Sequence, residues 1–135
     1  MLSSYNITTQ EVAANGLLTF STDRILTGCT ATRNGQTFQL NKPGYYYVTF
    51  NADGAATTTA GDIVVVLQHN GTAVPGAIAT QTVAAADDAV NLVFSTIIKV
   101  PPSCCAVDNT ANLTLVNTGV AATYTNVNIN ITKLC

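Results

Sequence analysis

Residues 38–53 read Phe38-Gln-Leu-Asn-Lys-Pro-Gly-Tyr-Tyr-Tyr-Val-Thr-Phe-Asn-Ala-Asp53, and the fold is decided here. An apolar strand closes at Leu40, the chain turns through Asn41-Lys42-Pro43-Gly44, and a second strand starts on three consecutive tyrosines. Pro43 fixes one torsion of the turn, and Gly44 can take the positive φ that other residues avoid. In the strand that follows, side chains alternate between faces. Tyr46, Val48, Phe50 and Ala52 fall on one face, and Tyr45, Tyr47, Thr49 and Asn51 on the other. Both faces begin aromatic, which suits a strand covered on two sides: a core on one, a partner or a wet rim on the other. With the first face as core, Tyr45 and Tyr47 become candidates for contact with a partner, since aromatic residues are enriched at interfaces.

Working outward, the same two-residue period recurs. Gln36–Leu40 alternates into the hairpin, and Leu17–Phe20 and Arg24–Leu26 precede it. A small-residue loop, Asp53–Gly61, leads to Asp62-Ile-Val-Val-Val-Leu-Gln68, a nearly continuous apolar run that predicts a strand buried on both faces. Asn70-Gly71 predicts a tight hairpin, and Pro75 within Ala73–Val83 predicts an edge or a bulge. The longest strand is expected over Ala89–Val100, with Val90, Leu92, Phe94, Thr96 and Ile98 on one face and Pro101-Pro102 stopping it. Leu113–Val116 is a further strand. Tyr124–Leu134 closes the chain with Val127, Ile129 and Ile131 on one face and Asn126, Asn128 and Asn130 on the other. No stretch holds a helical period. About eight to ten short strands at regular spacing define a β-sandwich or barrel, with no fixed repeat and no Gly-X-Y tract.

The 135 residues suit one domain. Hydrophobic residues make up 47% and charged ones 9%, far below the usual quarter, which favours burial in an assembly or a neutral, rugged exterior. Arg24, Arg33, Lys42, Lys99 and Lys133 are scattered through the sequence, so no basic cluster is expected and nucleic acid is not expected as a partner. No apolar run reaches membrane-spanning length, and no membrane partner is expected. The opening residues have neither a basic nor an apolar region of the kind that marks a secretory signal. Residues 1–15 are polar and read as an extended N-terminal arm, with the folded domain over 16–135.

Chemistry is sparse. His69 is the only histidine and neighbours no nucleophile, so a solvated turn residue is the reading for it. Cys29, Cys104, Cys105 and Cys135 fit no zinc spacing; they are reduced thiols packed as small hydrophobes or, outside a cell, a bridge from Cys29 to Cys104 or Cys105. Asp87-Asp88 is the only adjacent acid pair and too few ligands for calcium unless symmetry multiplies them. Four Asn-X-Thr matches, at Asn6, Asn70, Asn112 and Asn130, are expected by chance in so Asn- and Thr-rich a chain. The row Asn126, Asn128, Asn130 is either a solvated face or a subunit interface where amides bond between chains. No cofactor and no catalytic group is expected, hence no enzyme.

The spacing of Phe38, five residues, Gly44, one residue, Tyr46 resembles the signature of the C1q/tumour-necrosis-factor-like jelly-roll head. Phe50 fits the aromatic position that follows, and Val48 is a smaller stand-in. Leu67–Gly71 resembles the family's strand and Asn-Gly turn, and Asn128–Leu134 its closing strand. The likeness spans roughly residues 16–134. It implies an all-β jelly-roll sandwich of two antiparallel sheets and a homotrimer, with the strands 62–68 and 124–133 in the sheet facing the threefold axis. That adds Val64 and Val66 to the interface candidates Tyr45, Tyr47, Asn126, Asn128 and Asn130.

Two functions are then in competition. One is a structural or recognition module on a particle surface: a phage capsid decoration or fibre head, or a spore-surface head, docked through the N-terminal arm. The other is a secreted or cell-surface head of the C1q type that binds a glycan or protein receptor. Low charge and the lack of a signal and of a collagen stalk favour the virion or spore surface.

Overall fold

The computed structural model describes residues 1–28, 30–57, 60–85, 88–102 and 111–134. In chain order the strands are β1 (Leu2–Asn6), β2 (Gln10–Val12), β3 (Gly16–Leu17), β4 (Thr22–Leu26), β5 (Ala31–Asn34), β6 (Thr37–Leu40), β7 (Gly44–Ala56), β8 (Gly61–His69), β9 (Thr72–Val83), β10 (Ala89–Val100), β11 (Ala111–Asn117) and β12 (Ala122–Lys133). One sheet, which we call the tyrosine sheet, runs β10-β7-β12-β1-β4, with β2 also on β12. The other, the valine sheet, runs β5-β6-β11-β8-β9, with β3 also on β11. All the pairings are antiparallel. The jelly-roll sandwich expected from the sequence is the architecture observed.

The tyrosine strand β7 occupies the interior of its sheet, between β10 and β12. Its Gly44 has φ 142°, a conformation that costs glycine little and other residues more. Tyr46, Val48, Phe50 and Ala52 are buried as the alternation requires. They meet Leu92, Phe94 and Ile98 of β10 and Val127, Ile129 and Ile131 of β12 in one core, closed from the opposite sheet by Phe38, Ile63, Val65, Leu67, Leu113 and Leu115. Phe50 and Phe94 lie 5.2 Å apart between ring centres, and Phe20 meets Phe38 edge-on at 5.0 Å; both distances lie in the favourable range for aromatic pairs. At 13 residues β7 outruns the 12-residue β10, which has the bounds expected for it. Pro75-Gly76 falls where β9 loses register with β8, Gly76 having φ 84°. The strand is an edge with a bulge, as a proline there demands.

The expected arm does not stand apart from the domain. β1 lies inside the tyrosine sheet, between β12 and β4, and Leu2, Ser3, Ser4, Asn6 and Val12 are buried. The side chains of Ser4 and Asn6 find distant partners. The Ser4 hydroxyl donates to Asp23 at 2.5 Å, Asn6 Nδ2 donates to the Thr19 carbonyl at 3.2 Å, and the Thr8 amide donates to Asn6 Oδ1. A polar segment can be buried when its groups are paired, and the boundary expected at residue 15 is not a structural one.

A second correction concerns the sheets. β8 and β12 were expected to share the sheet that faces a threefold axis; β8 lies in the valine sheet and β12 in the tyrosine sheet. Apolar continuity shows that a strand is covered on both faces, not which neighbours do the covering.

One corner of the sandwich is held by a buried amide. Asn117, at the end of β11, is fully buried. Its Nδ2 donates to the carbonyls of Val12 at 3.1 Å and Val120 at 3.0 Å, and its Oδ1 accepts from Tyr124 Oη at 3.1 Å and the Gly119 amide at 3.3 Å. Burial pushes the Tyr124 hydroxyl well above its usual range, because an ionised phenolate would be desolvated there.

Candidate interaction face

No group of three or more His, Cys, Asp or Glu gathers among the described residues in a way that could hold a metal ion, and no cavity is found among them. His69 ends β8, partly exposed beside the Asn70-Gly71 hairpin. Asp88 is exposed ahead of β10. Asp87 and all four cysteines lie outside the described residues, and so do the calcium and disulfide readings that rest on them.

The surface feature that stands out is the outer face of the tyrosine sheet. Register places its outward residues in rows across the strands. Ile97 of β10 lies beside Tyr47 of β7 and Thr132 of β12. The next row is Ser95, Thr49, Asn130, Ser3 and Ile25; the one after it is Val93, Asn51, Asn128, Tyr5 and Thr22. Tyr45 and Tyr47 are 44% and 42% exposed, and Val93 and Ile97 60% and 57%. These four apolar or aromatic side chains are exposed among hydroxyls and amides. In the rows themselves no side chain is charged, while Lys99 and Asp53 flank them at opposite ends. Arg24 is the nearest other cation, its guanidinium 4.8 Å from the centre of the Tyr5 ring, where the ring's negative face holds it.

The asparagine row divides. A register shift between Thr125 and Asn128 sets Asn126 in a bulge with φ 55°, where its Nδ2 reaches Asp53 at 3.4 Å. Asn128 and Asn130 stay in the ladder, opposite Asn51 and Thr49, and Asn130 Nδ2 donates to Thr49 Oγ1 at 3.2 Å. Asn128 Oδ1 is buried with no hydrogen-bond donor. Tyr45, Tyr47, Asn128 and Asn130 therefore share one face, with Asn126 at its margin.

Val64 and Val66 do not join them. They point outward from the valine sheet, on the opposite side of the sandwich, roughly 10 Å of core away. Val66 is buried there by its lateral neighbours in a row that reads Leu17, Val116, Val66, Ile78. The sequence reading missed Val93, Ile97 and Tyr5. The first two lie on the odd-numbered side of the 89–100 strand, so alternation could have found them; Tyr5 was hidden by the reading of 1–15 as an arm.

No protein-family model and no curated protein matches the sequence. Solved structures do match the fold. Murine APRIL at pH 5.0 superposes with a TM-score of 0.70 at 7% identity, covering 98% of each chain. PRD1 vertex protein P5 gives 0.65 at 19% identity, covering 99% of this chain and 96% of its own. The globular domain of zebrafish complement 1qA gives 0.60 at 10% identity, covering 98% and 97%. At these identities the likeness is one of fold: the chain is a jelly roll of the C1q/TNF-like kind.

Proposed function

We propose that this C1q/TNF-like jelly roll is a non-enzymatic structural or recognition module that associates through the outer face of its tyrosine sheet into a homotrimer and is displayed on a particle surface. The observation that carries the reading is that face itself. Tyr47, Val93 and Ile97 are exposed within rows free of charged side chains, with Tyr45 exposed at their edge opposite Lys99, and exposed apolar surface of that kind marks an interaction site. A cyclic assembly buries the same face of every copy. The likeness to PRD1 vertex protein P5 along nearly the whole chain supports a virion surface, and a spore surface is the related alternative. The likeness to APRIL and to the complement 1qA head supports a second reading, an extracellular head that binds a protein or glycan receptor.

Light scattering of the purified chain tests the association. A mass three times the 14.0 kDa chain is expected, reduced to one chain by Tyr47→Glu with Ile97→Glu. A monodisperse wild-type monomer would overturn the trimer. Mass spectrometry of purified particles from the source then separates the two readings: a stoichiometric component of the particle supports display, and recovery only from the medium supports the secreted head.

A further inference from the structure

Three of the chain's asparagines precede a glycine, at Asn15-Gly16, Asn34-Gly35 and Asn70-Gly71. Such a pair carries its own chemistry, because glycine has no side chain to shield its backbone nitrogen from the neighbouring amide carbon. All three asparagines are exposed, so solvent access does not separate them; hydrogen bonding does. Asn15 donates its backbone N–H to the Asn117 carbonyl at 2.6 Å, and the Gly16 N–H, the nitrogen that would react, is held on the Ala13 carbonyl at 2.9 Å. Asn70 is bound twice to β11: its N–H donates to the Asn112 carbonyl and its Oδ1 accepts from the Asn112 N–H, both at 2.8 Å. Asn34 ends β5, an edge strand, and pairs across a two-residue turn with Thr37. Among the described residues its side chain has no hydrogen-bond partner and the Gly35 N–H has no acceptor. What holds the tip lies past the reacting atoms: the Gly35 carbonyl accepts from Arg33 Nη1 at 2.9 Å, and Gln36 Oε1 accepts from the Phe20 N–H at 2.7 Å.

We propose that Asn34 is a site of spontaneous covalent modification, cyclising with Gly35 and opening to an acid. In the cyclisation the Gly35 nitrogen gives its proton to solvent base and attacks Asn34 Cγ. The new N–Cγ bond closes a five-membered imide, and the side-chain nitrogen leaves as ammonia, taking a proton back. Water then opens the ring. Breaking the N–Cγ bond leaves aspartate. Breaking the bond from the same nitrogen to the Asn34 main-chain carbonyl carbon leaves an isoaspartyl linkage instead, with the backbone running through the side chain. Either way one amide becomes one carboxylate, and no oxidant, metal or enzyme takes part. For the attack Asn34 must leave its extended conformation, which opens its rung with Thr37, the last of an edge hairpin, where fraying is easiest. Asn15 and Asn70 must first break bonds to β11, in the interior of the valine sheet. The isoaspartyl form adds a methylene to the backbone of a two-residue turn. The Gly35 carbonyl and Gln36 then cannot both keep their places on Arg33 and Phe20, so the change loosens the β5–β6 hairpin from the segment that enters β4. The inference is independent of association through the tyrosine sheet, since β5 belongs to the other sheet.

The test is peptide mapping by mass spectrometry of the folded chain after prolonged incubation in mildly alkaline buffer, reading at each pair the exchange of NH2 for OH. Asn34 is expected to convert about tenfold faster than Asn15 or Asn70, which corresponds to about 1.4 kcal/mol, the order of one hydrogen bond. In guanidinium chloride, where those bonds are gone, the three rates should draw together. Native ion exchange should resolve a form one charge more negative than the −2 of the fresh chain. Asn34→Gln, whose longer side chain closes a six-membered ring far more slowly, should not form it at the wild-type rate. Conversion at Asn15 or Asn70 as fast as at Asn34 in the folded chain would overturn the inference, and so would an Asn34 that stays intact while the unfolded chain converts. Equal accumulation of the acidic form by Asn34→Gln would put the reaction elsewhere and overturn it too.

Discussion

Replacing Asn117 with alanine tests the corner that joins the two sheets. The amide nitrogen donates to the carbonyls of Val12, Val120 and, at 3.4 Å, Ala13, and the amide oxygen accepts from Tyr124 Oη and the Gly119 amide. Alanine fills none of these roles. Val12 O and the Tyr124 hydroxyl lose a fully buried partner, and each orphaned group costs about 1–3 kcal/mol. The expected loss is therefore about 4 kcal/mol, much of the 5–15 kcal/mol by which a domain is stable. Tyr124→Phe removes the donor and its need together, and Asn117 Oδ1 keeps the Gly119 N–H. That variant should lose only about 1 kcal/mol. Urea unfolding followed by far-ultraviolet circular dichroism gives both numbers, and equal m-values confirm that the same surface is exposed. A loss below about 1 kcal/mol for Asn117→Ala, or equal losses for the two variants, would refute the argument that the amide bridges the corner.

Three further outcomes are expected. Gly44→Val should lower the melting temperature more than a valine at exposed Thr80 of β9, because Gly44 holds φ 142° and a β-branched residue there is strained; equal melts would remove its backbone role. Deleting residues 1–6 should abolish folding rather than release an arm, since β1 joins β12 to β4 and carries buried Leu2; a monodisperse, cooperatively melting truncation would show the strand to be dispensable. Asp23 has its carboxyl held below the usual range first by the hydrogen bond from Arg33, with burial opposing and Ser4 assisting. A depressed folded value means stability present above the unfolded value, near 3.8, and lost as pH falls below it, so Asp23→Asn should flatten the stability profile below about pH 4; an unchanged acid limb would show that the pair contributes nothing.

Strand identity was legible because its period is local. Alternation in residues 44–56 and 89–100 assigns Tyr46, Val48, Phe50, Leu92 and Phe94 to the core, and they are there. The turn at Pro43-Gly44 and the bulge at Pro75-Gly76 were legible for the same reason: a fixed or a positive φ belongs to one residue. What a strand pairs with is not local. Ser4 and Asn6 look like part of an exposed arm until Asp23 and Thr19 arrive from elsewhere in the chain to bond them. Val64 and Val66 look like companions of Tyr45 and Tyr47 until β8 is placed in the other sheet. A two-residue period can be read from neighbours, whereas sheet partners are set by contacts closed over long loops, whose energies depend on the whole arrangement.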